Sequence, residues 1–272
     1  MSALRLRDSI MTVSTVWRRT FLDAIIAPRR FRRVIPQMRK LGDMLHHPGI
    51  QSFEVSDLPA PETPIQMLSI APGYGGMPAQ DLYALLRIVL WIKPKVIFEM
   101  GTFQGVTTAH MALNSDAQIH TLDLPQDLAT DLKGYTPSDA ALLQARDQIG
   151  SFYREFNHDG RIHQLFGDSR TFDYAPYCGS IDLVLVDACH LYDYVLSDSR
   201  HASQLLGPRG VIVWHDFGNS RDVVRALQRV AREMAVYHLE GSNIAFHPRG
   251  VALPAESPQG NNRGAAKKVA SF

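Results

Sequence analysis

The sequence has only two cysteines, Cys178 and Cys189, in 272 residues. They form no CxxC pair and no partner cluster. This excludes a disulfide framework and a structural zinc site, and it fits a reducing cytoplasm, the expected location. Both read as small apolar side chains of the core. No apolar run is long enough to cross a bilayer. No long apolar stretch comes after the first arginines, so a secretory leader is not expected. There is no internal repeat, and the central part of the chain lacks the signature of a basic groove for nucleic acid. Large charge of one sign is also lacking, because the formal net charge is +1.

That small number conceals an uneven distribution. Residues 1–45 carry ten Arg or Lys against three acids, a local charge of +7, which leaves −6 for the rest. Val13, Val16, Trp17, Phe21, Ile25 and Ile26 fall near helical spacing, and Pro28 and Pro36 break the pattern beyond them. Residues 1–45 therefore read as a basic, amphipathic N-terminal arm. Its apolar stripe needs a partner, either the body of the protein or a second copy in a homo-oligomer, and its arginines suit an anionic surface. Residues 46–77 are rich in Pro and Gly and read as a loop beside a pocket. Residues 249–272 hold little that could be buried and read as a disordered tail.

Residues 78–248 alternate regularly. Helical stretches at Asp81–Trp91, Gly105–Leu113, 138–157, Tyr192–Leu206 and Arg221–Met234 separate short apolar runs at Val96–Phe98, Ile119–Leu122, Ile162–Phe166, Ile181–Val186 and Val211–Trp214. Val236–Leu239 and Ile244–Phe246 close the series as a hairpin around Gly241-Ser242. This pattern predicts an α/β fold, a doubly wound and mostly parallel seven-stranded sheet with an antiparallel edge hairpin.

In such sheets ligands sit beyond the carboxyl ends of the strands. Five consecutive runs end in or near an acid: Glu99, Asp123, Asp168, Asp187 and the pair His215-Asp216. After the first run the chain reads Glu-Met-Gly-Thr-Phe-Gln-Gly, so Gly101 and Gly105 bring bare backbone close to a ligand at a helix N-terminus. A dinucleotide fingerprint needs glycine at 103 and 106, where Phe103 and Val106 stand, and no Tyr-x-x-x-Lys pair supplies hydride chemistry. A carboxylate at Glu99 would repel a pyrophosphate. It suits a ligand that has an amino group and no phosphate.

Val-Ile-Phe-Glu-Met-Gly-Thr-Phe-Gln-Gly-Val-Thr-Thr, Ile-His-Thr-Leu-Asp-Leu-Pro, Phe-Gly-Asp-Ser, Leu-Val-Asp-Ala-Cys-His-Leu-Tyr and Gly-Val-Ile-Val-Trp-His-Asp-Phe occur in that order. Together they resemble the class I S-adenosylmethionine-dependent methyltransferases with their Rossmann-like sheet, in particular a bacterial subgroup akin to catechol-type O-methyltransferases. The resemblance implies that Glu99, Gly101, Thr102 and Gly105 hold the methionine end of S-adenosylmethionine. It implies Asp123 on the ribose hydroxyls, and Asp168 and Ser169 at the adenine edge. It implies Asp187 and Asp216 as ligands of a divalent metal such as magnesium. His190 falls where those relatives carry a lysine base, and His215-Asp216 replaces an Asp-Asn pair. His190 and His215 are then the candidate bases near neutral pH. The expected activity is methyl transfer to a hydroxyl of a small molecule or sugar-like metabolite. The rival readings are an NAD-dependent oxidoreductase and a non-catalytic interaction protein on the same fold. Tyr192, Tyr194 and Trp214 read as packing residues.

Overall fold

The computed structural model describes residues 50–70, 75–125, 148–156 and 160–253. The basic arm predicted at 1–45, most of the helix predicted at 138–157 and the tail beyond 253 lie outside these residues. Every described residue belongs to the unit 48–272. Among them, no helix is long and apolar enough to cross a membrane.

Eight strands form one sheet: β1 (Gln51–Glu54), β2 (Val96–Met100), β3 (Gln118–Asp123), β4 (Ile162–Phe166), β5 (Ile181–Val186), β6 (Leu206–Trp214), β7 (Tyr237–Glu240) and β8 (Ile244–Arg249). Their order is β1-β7-β8-β6-β5-β2-β3-β4. All pairings are parallel except those of β8, which runs antiparallel to β6 and β7. The helices are α1 (Ala79–Ile92), α2 (Val106–Leu113), α3 (Ser151–Arg154), α4 (Tyr192–Leu205) and α5 (Arg221–Val230).

The central strands are apolar on both faces because both faces are covered. Ile97, Leu183, Leu185, Val211 and Val213 face one core with Leu82, Leu85 and Val89 of α1. The residues between them, Phe98, Val184, Val186, Ile212 and Trp214, face a second core with Val195 and Leu205 of α4 and Val224 and Leu227 of α5. Each fully buried Leu, Ile, Val or Phe of this kind contributes about 1.5–3 kcal/mol.

The seven predicted strands are present, and β1 is an eighth that the reading of 46–77 as a loop omitted. It is four residues long with one buried side chain, Phe53, too short for a periodic signal. Phe53 packs edge-on against Tyr237 at 5.2 Å, so the hairpin is flanked by β1 and is not the sheet edge. The same segment is tied down further along. Buried Arg87 donates to the carbonyls of Leu58 and Pro59, and Asn114 exchanges hydrogen bonds with the backbone of Gln66. The helix predicted across 138–157 is interrupted at Gly150, which has φ +67 and donates its amide to the Phe103 carbonyl. The tail boundary also shifts. Arg249 ends β8 and donates to the Ser203 and Leu206 carbonyls at the end of α4, while Val251 and Leu253 pack on the first core.

Strands β2, β3 and β4 are laid down in one direction across the sheet, and β5 and β6 in the other. The topological switch lies between β2 and β5, where a doubly wound sheet opens a crevice at its carboxyl end.

Candidate active site

A pocket of about 410 Å³ lies at that switch point, in the size range of small-molecule sites. Its floor is the β2–α2 turn, where Gly101, Phe103 and Gly105 all have positive φ, +100, +46 and +81. Gly101 is obligatory for packing: a Cβ there would sit 2.1 Å from the Asp187 carbonyl oxygen at the end of β5. Phe103 adopts the left-handed conformation without being glycine, at a cost of about 1–2 kcal/mol. The gain lies in its amide. The N–H groups of Thr102 and Phe103 both donate to Asp123 Oδ2, at 3.0 and 2.7 Å, and Leu124 N–H donates to Oδ1 at 2.7 Å. Alternating backbone conformations of this kind make an anion-binding nest. Here the anion is the chain's own Asp123.

Glu99 lies beneath this turn, away from the pocket surface. It is 1% exposed, and its Oε2 accepts from the hydroxyls of Thr108 and Thr121 at 2.5 and 2.6 Å. Its other oxygen has no hydrogen-bond partner. Burial pushes the carboxyl up to about 8, with the charges of Asp187 and Asp123 acting in the same direction. Glu99, expected at the methionine end of the ligand, is not among the residues that line the pocket; it braces β2, β3 and α2 from below. Gly101, Thr102, Gly105, Asp123, Asp168 and Ser169 do line the pocket.

The other half of the pocket is built from side chains. Asp187 lies just past β5, and His215 and Asp216 just past β6. The parallel pairing of these strands sets the two groups side by side. His215 is 8% exposed, and each ring nitrogen meets a carboxylate: Nδ1 lies 3.1 Å from Asp187 and Nε2 lies 3.1 Å from Asp81. Burial opposes a charge on His215, but Asp187, Asp81 and Asp216 outweigh it and push the imidazolium up to about 11. With both nitrogens donating and the proton held, His215 has no lone pair for a substrate. These two contacts tie His215 to Asp81 and Asp187, so it holds Asp187 in place.

Asp81 completes this unit. It is fully buried on the first turn of α1 and also accepts from the backbone and side-chain amides of Asn243, at 2.8 and 2.9 Å. Burial works against its ionisation, but the His215 and Asn243 hydrogen bonds hold the carboxyl below its ordinary value. The sequence signal for Asp81 is an acid within an otherwise apolar helix face, a pattern that names no partner.

His190 Nε2 stands 2.6 Å from Asp216 Oδ2. Burial again opposes ionisation of Asp216, but His190 and the His215 charge hold its carboxyl well below the usual carboxylate range. Asp216 has φ +59, uncommon outside glycine, and that geometry turns its side chain back toward the two histidines. Asp187, His190 and Asp216 each bring a ligand atom to one place, all within 4.8 Å of one another. Two carboxylate oxygens and an imidazole nitrogen fit a divalent cation, and the nitrogen favours a first-row transition metal over magnesium.

Two further lining residues depart from expectation. Tyr194, read as packing, reaches the pocket and directs its hydroxyl at Asp168 Oδ2, at 3.4 Å. Cys189 lies on the pocket wall, and Cys178 is exposed, so neither is a core residue. Trp214 is buried as expected, with its indole N–H on Ser199 Oγ at 3.0 Å. Among the described residues no Lys or Arg lines the pocket, whereas Asp123, Asp168, Asp187 and Asp216 do.

Residues 98–217, which span the glycine turn, Asp123, Asp187 and Asp216, match a family described as a methyltransferase domain. This match covers less than half of the chain. No curated protein matches the sequence. Among solved structures, a Corynebacterium glutamicum protein shares this fold with a TM-score of 0.50 at 11% identity, over 66% of this chain and 85% of that one. A Nostoc punctiforme protein described as an O-methyltransferase gives 0.45 at 14% identity, over 63% of this chain. This chain spans only 56% of that protein's length. The SAH-bound methyltransferase PaMTH1 of Podospora anserina gives 0.42 at 17% identity, over 59% of this chain and 73% of that one.

Proposed function

We propose that the protein transfers a methyl group from S-adenosylmethionine to a hydroxyl of a small molecule or sugar-like metabolite. The observation that carries this reading is the nest in the β2–α2 turn. In a dinucleotide site such backbone amides meet a pyrophosphate. Here they are taken by Asp123, and the pocket wall carries aspartates without a lysine or arginine among the described residues. That environment repels phosphate and suits a cationic, phosphate-free ligand with a ribose.

In this reading Asp123, already oriented by three amides, receives the ribose hydroxyls. Gly101 and Gly105 let the backbone approach the methionine end, and Asp168 and Ser169 border the adenine. When bound, S-adenosylmethionine supplies an electrophilic methyl group. A divalent cation held by Asp187, His190 and Asp216 would supply a Lewis acid that lowers the pKa of the acceptor hydroxyl. The rest falls to the chain itself. His215, clamped between Asp81 and Asp187, keeps Asp187 in one orientation. Without a cation in that place, His190, oriented by Asp216, is the group placed to receive the hydroxyl proton. Holding acceptor and donor in line accounts for up to about 7–11 kcal/mol of barrier lowering.

The test is calorimetric titration of the full chain with S-adenosylhomocysteine, with and without Mn²⁺ or Mg²⁺. Micromolar binding is the expected result, and no binding overturns the reading. Titration with Mn²⁺ alone then assigns His190. Metal affinity lost in His190→Ala makes it a ligand. Metal-independent activity lost in the same variant makes it the base.

A further inference from the structure

One buried acid has no part in the methyl-transfer chemistry. Asp198, in the middle of α4, is fully buried, and neither carboxylate oxygen has a hydrogen-bond partner. A group in this state lowers stability relative to an apolar side chain of similar size. Around it stands the wall of the pocket. Tyr194, Asp198 and His201 recur at i, i+4 and i+7, so they share one face of α4. That face meets the segment just after β4. Tyr194 directs its hydroxyl at Asp168, and the Arg170 guanidinium lies 5.0 Å over the Tyr194 ring. His201 stacks on Tyr174 at 4.6 Å, and the Tyr174 hydroxyl donates to the Ser169 carbonyl at 2.9 Å. Asp198 sits between these contacts and is approached by the Ser169 hydroxyl, without a completed hydrogen bond. Burial pushes its carboxyl up to about 7. Asp168 acts in the same direction, and the Ser169 hydroxyl and Arg170 act against it.

We propose that Asp198 is a positioning residue for the cofactor pocket: buried on the face of α4 that carries Tyr194 and His201, it sets the Asp168–Arg170 turn that borders the adenine. This rests on the S-adenosylmethionine reading of the site. Asp198 never touches the ligand. It trades stability for a fixed pocket wall, which sets it apart from a residue that only packs.

The experiment measures S-adenosylhomocysteine and adenosine affinity by calorimetry, Mn²⁺ affinity, and Tm, in the full chain and in Asp198→Ala and Asp198→Asn. The alanine variant is expected to weaken both nucleosides by a similar factor, about tenfold, with Mn²⁺ affinity unchanged and Tm unchanged or higher. The asparagine variant, which keeps the shape and a polar carbonyl at this place, is expected to stay close to wild type. Asp198→Val, apolar and nearer in volume, replaces alanine if the cavity prevents folding. Unchanged nucleoside affinity in the apolar variant overturns the inference. So does a loss accompanied by lower Tm and weaker Mn²⁺ binding, which would mark a packing role. Wild-type protein that binds neither nucleoside overturns the cofactor reading and this inference together. Wild-type binding with an unaffected apolar variant overturns this inference alone.

Discussion

The two halves of the pocket are made differently. The half at β2, β3 and β4 is made mostly of backbone: three residues with positive φ and amides of the turn converging on one carboxylate. The half at β5 and β6 is made of charged side chains: His215 between Asp81 and Asp187, and His190 against Asp216. Backbone amides at a turn are rigid, keep one polarity and take no part in proton transfer. Imidazoles and carboxylates can exchange protons and hold cations. They need burial and mutual pairing to stay in place. Backbone and ionisable side chains are thus divided along the switch point, and Gly101 against the Asp187 carbonyl is where the halves touch.

The strongest way to break this division is to remove the cation from the second half. His215→Ala leaves buried Asp81 and half-buried Asp187 without their shared partner. It is expected to cost about 3–5 kcal/mol of stability, measured by urea denaturation, with S-adenosylhomocysteine affinity changed far less. An equal loss of both would mean that the halves are one unit. The complementary change acts on the first half. Asp123→Ala is expected to weaken S-adenosylhomocysteine by about 30-fold or more, since hydrogen bonds to an ionised group contribute roughly 1.5–3 kcal/mol. Mn²⁺ affinity at Asp187, His190 and Asp216 should persist, and titration of each ligand alone separates the two results.

The smallest expected effect concerns pH. Glu99 in the folded chain titrates at about 8, above its ordinary value of 4.5. An acid with a raised folded pKa contributes stability below its unfolded pKa, and that contribution is lost as pH rises through the folded pKa. Tm should therefore fall between about pH 4.5 and pH 8 on this account. Glu99→Gln, which keeps an acceptor for Thr108 and Thr121, should flatten that part of the profile. The pairing of His215 loses stability in a higher window, from about 6.5 toward about 11, so the slope that remains in the Gln variant should lie mainly on the alkaline side. An unchanged slope below pH 8 would mean that Glu99 is ionised in the folded chain.

Much of the first half is legible in the sequence. Gly101, Gly105 and Asp123 belong to one strand–turn–helix–strand passage, and glycine spacing and strand-end acids are local signals. The role of Asp123 is only half visible there: its place at a strand end can be read, but not that it fills the nest from within. Strand β1 escapes such a reading because a single buried Phe53 carries no period. Tyr194 is misread because an aromatic on a helix packs equally well into a core or a pocket wall.

By itself the sequence determined the alternation of strands and helices, the doubly apolar central runs, and the array of acids at the strand ends. Period, turn chemistry and chain order are properties of neighbouring residues. Only the tertiary structure decided which of those acids line the pocket, which braces the sheet, and which histidine is held between two carboxylates. His215 and Asp81 lie 134 positions apart. The charge state of an imidazole depends on the groups within a few ångströms of it, and that distance is measured through space.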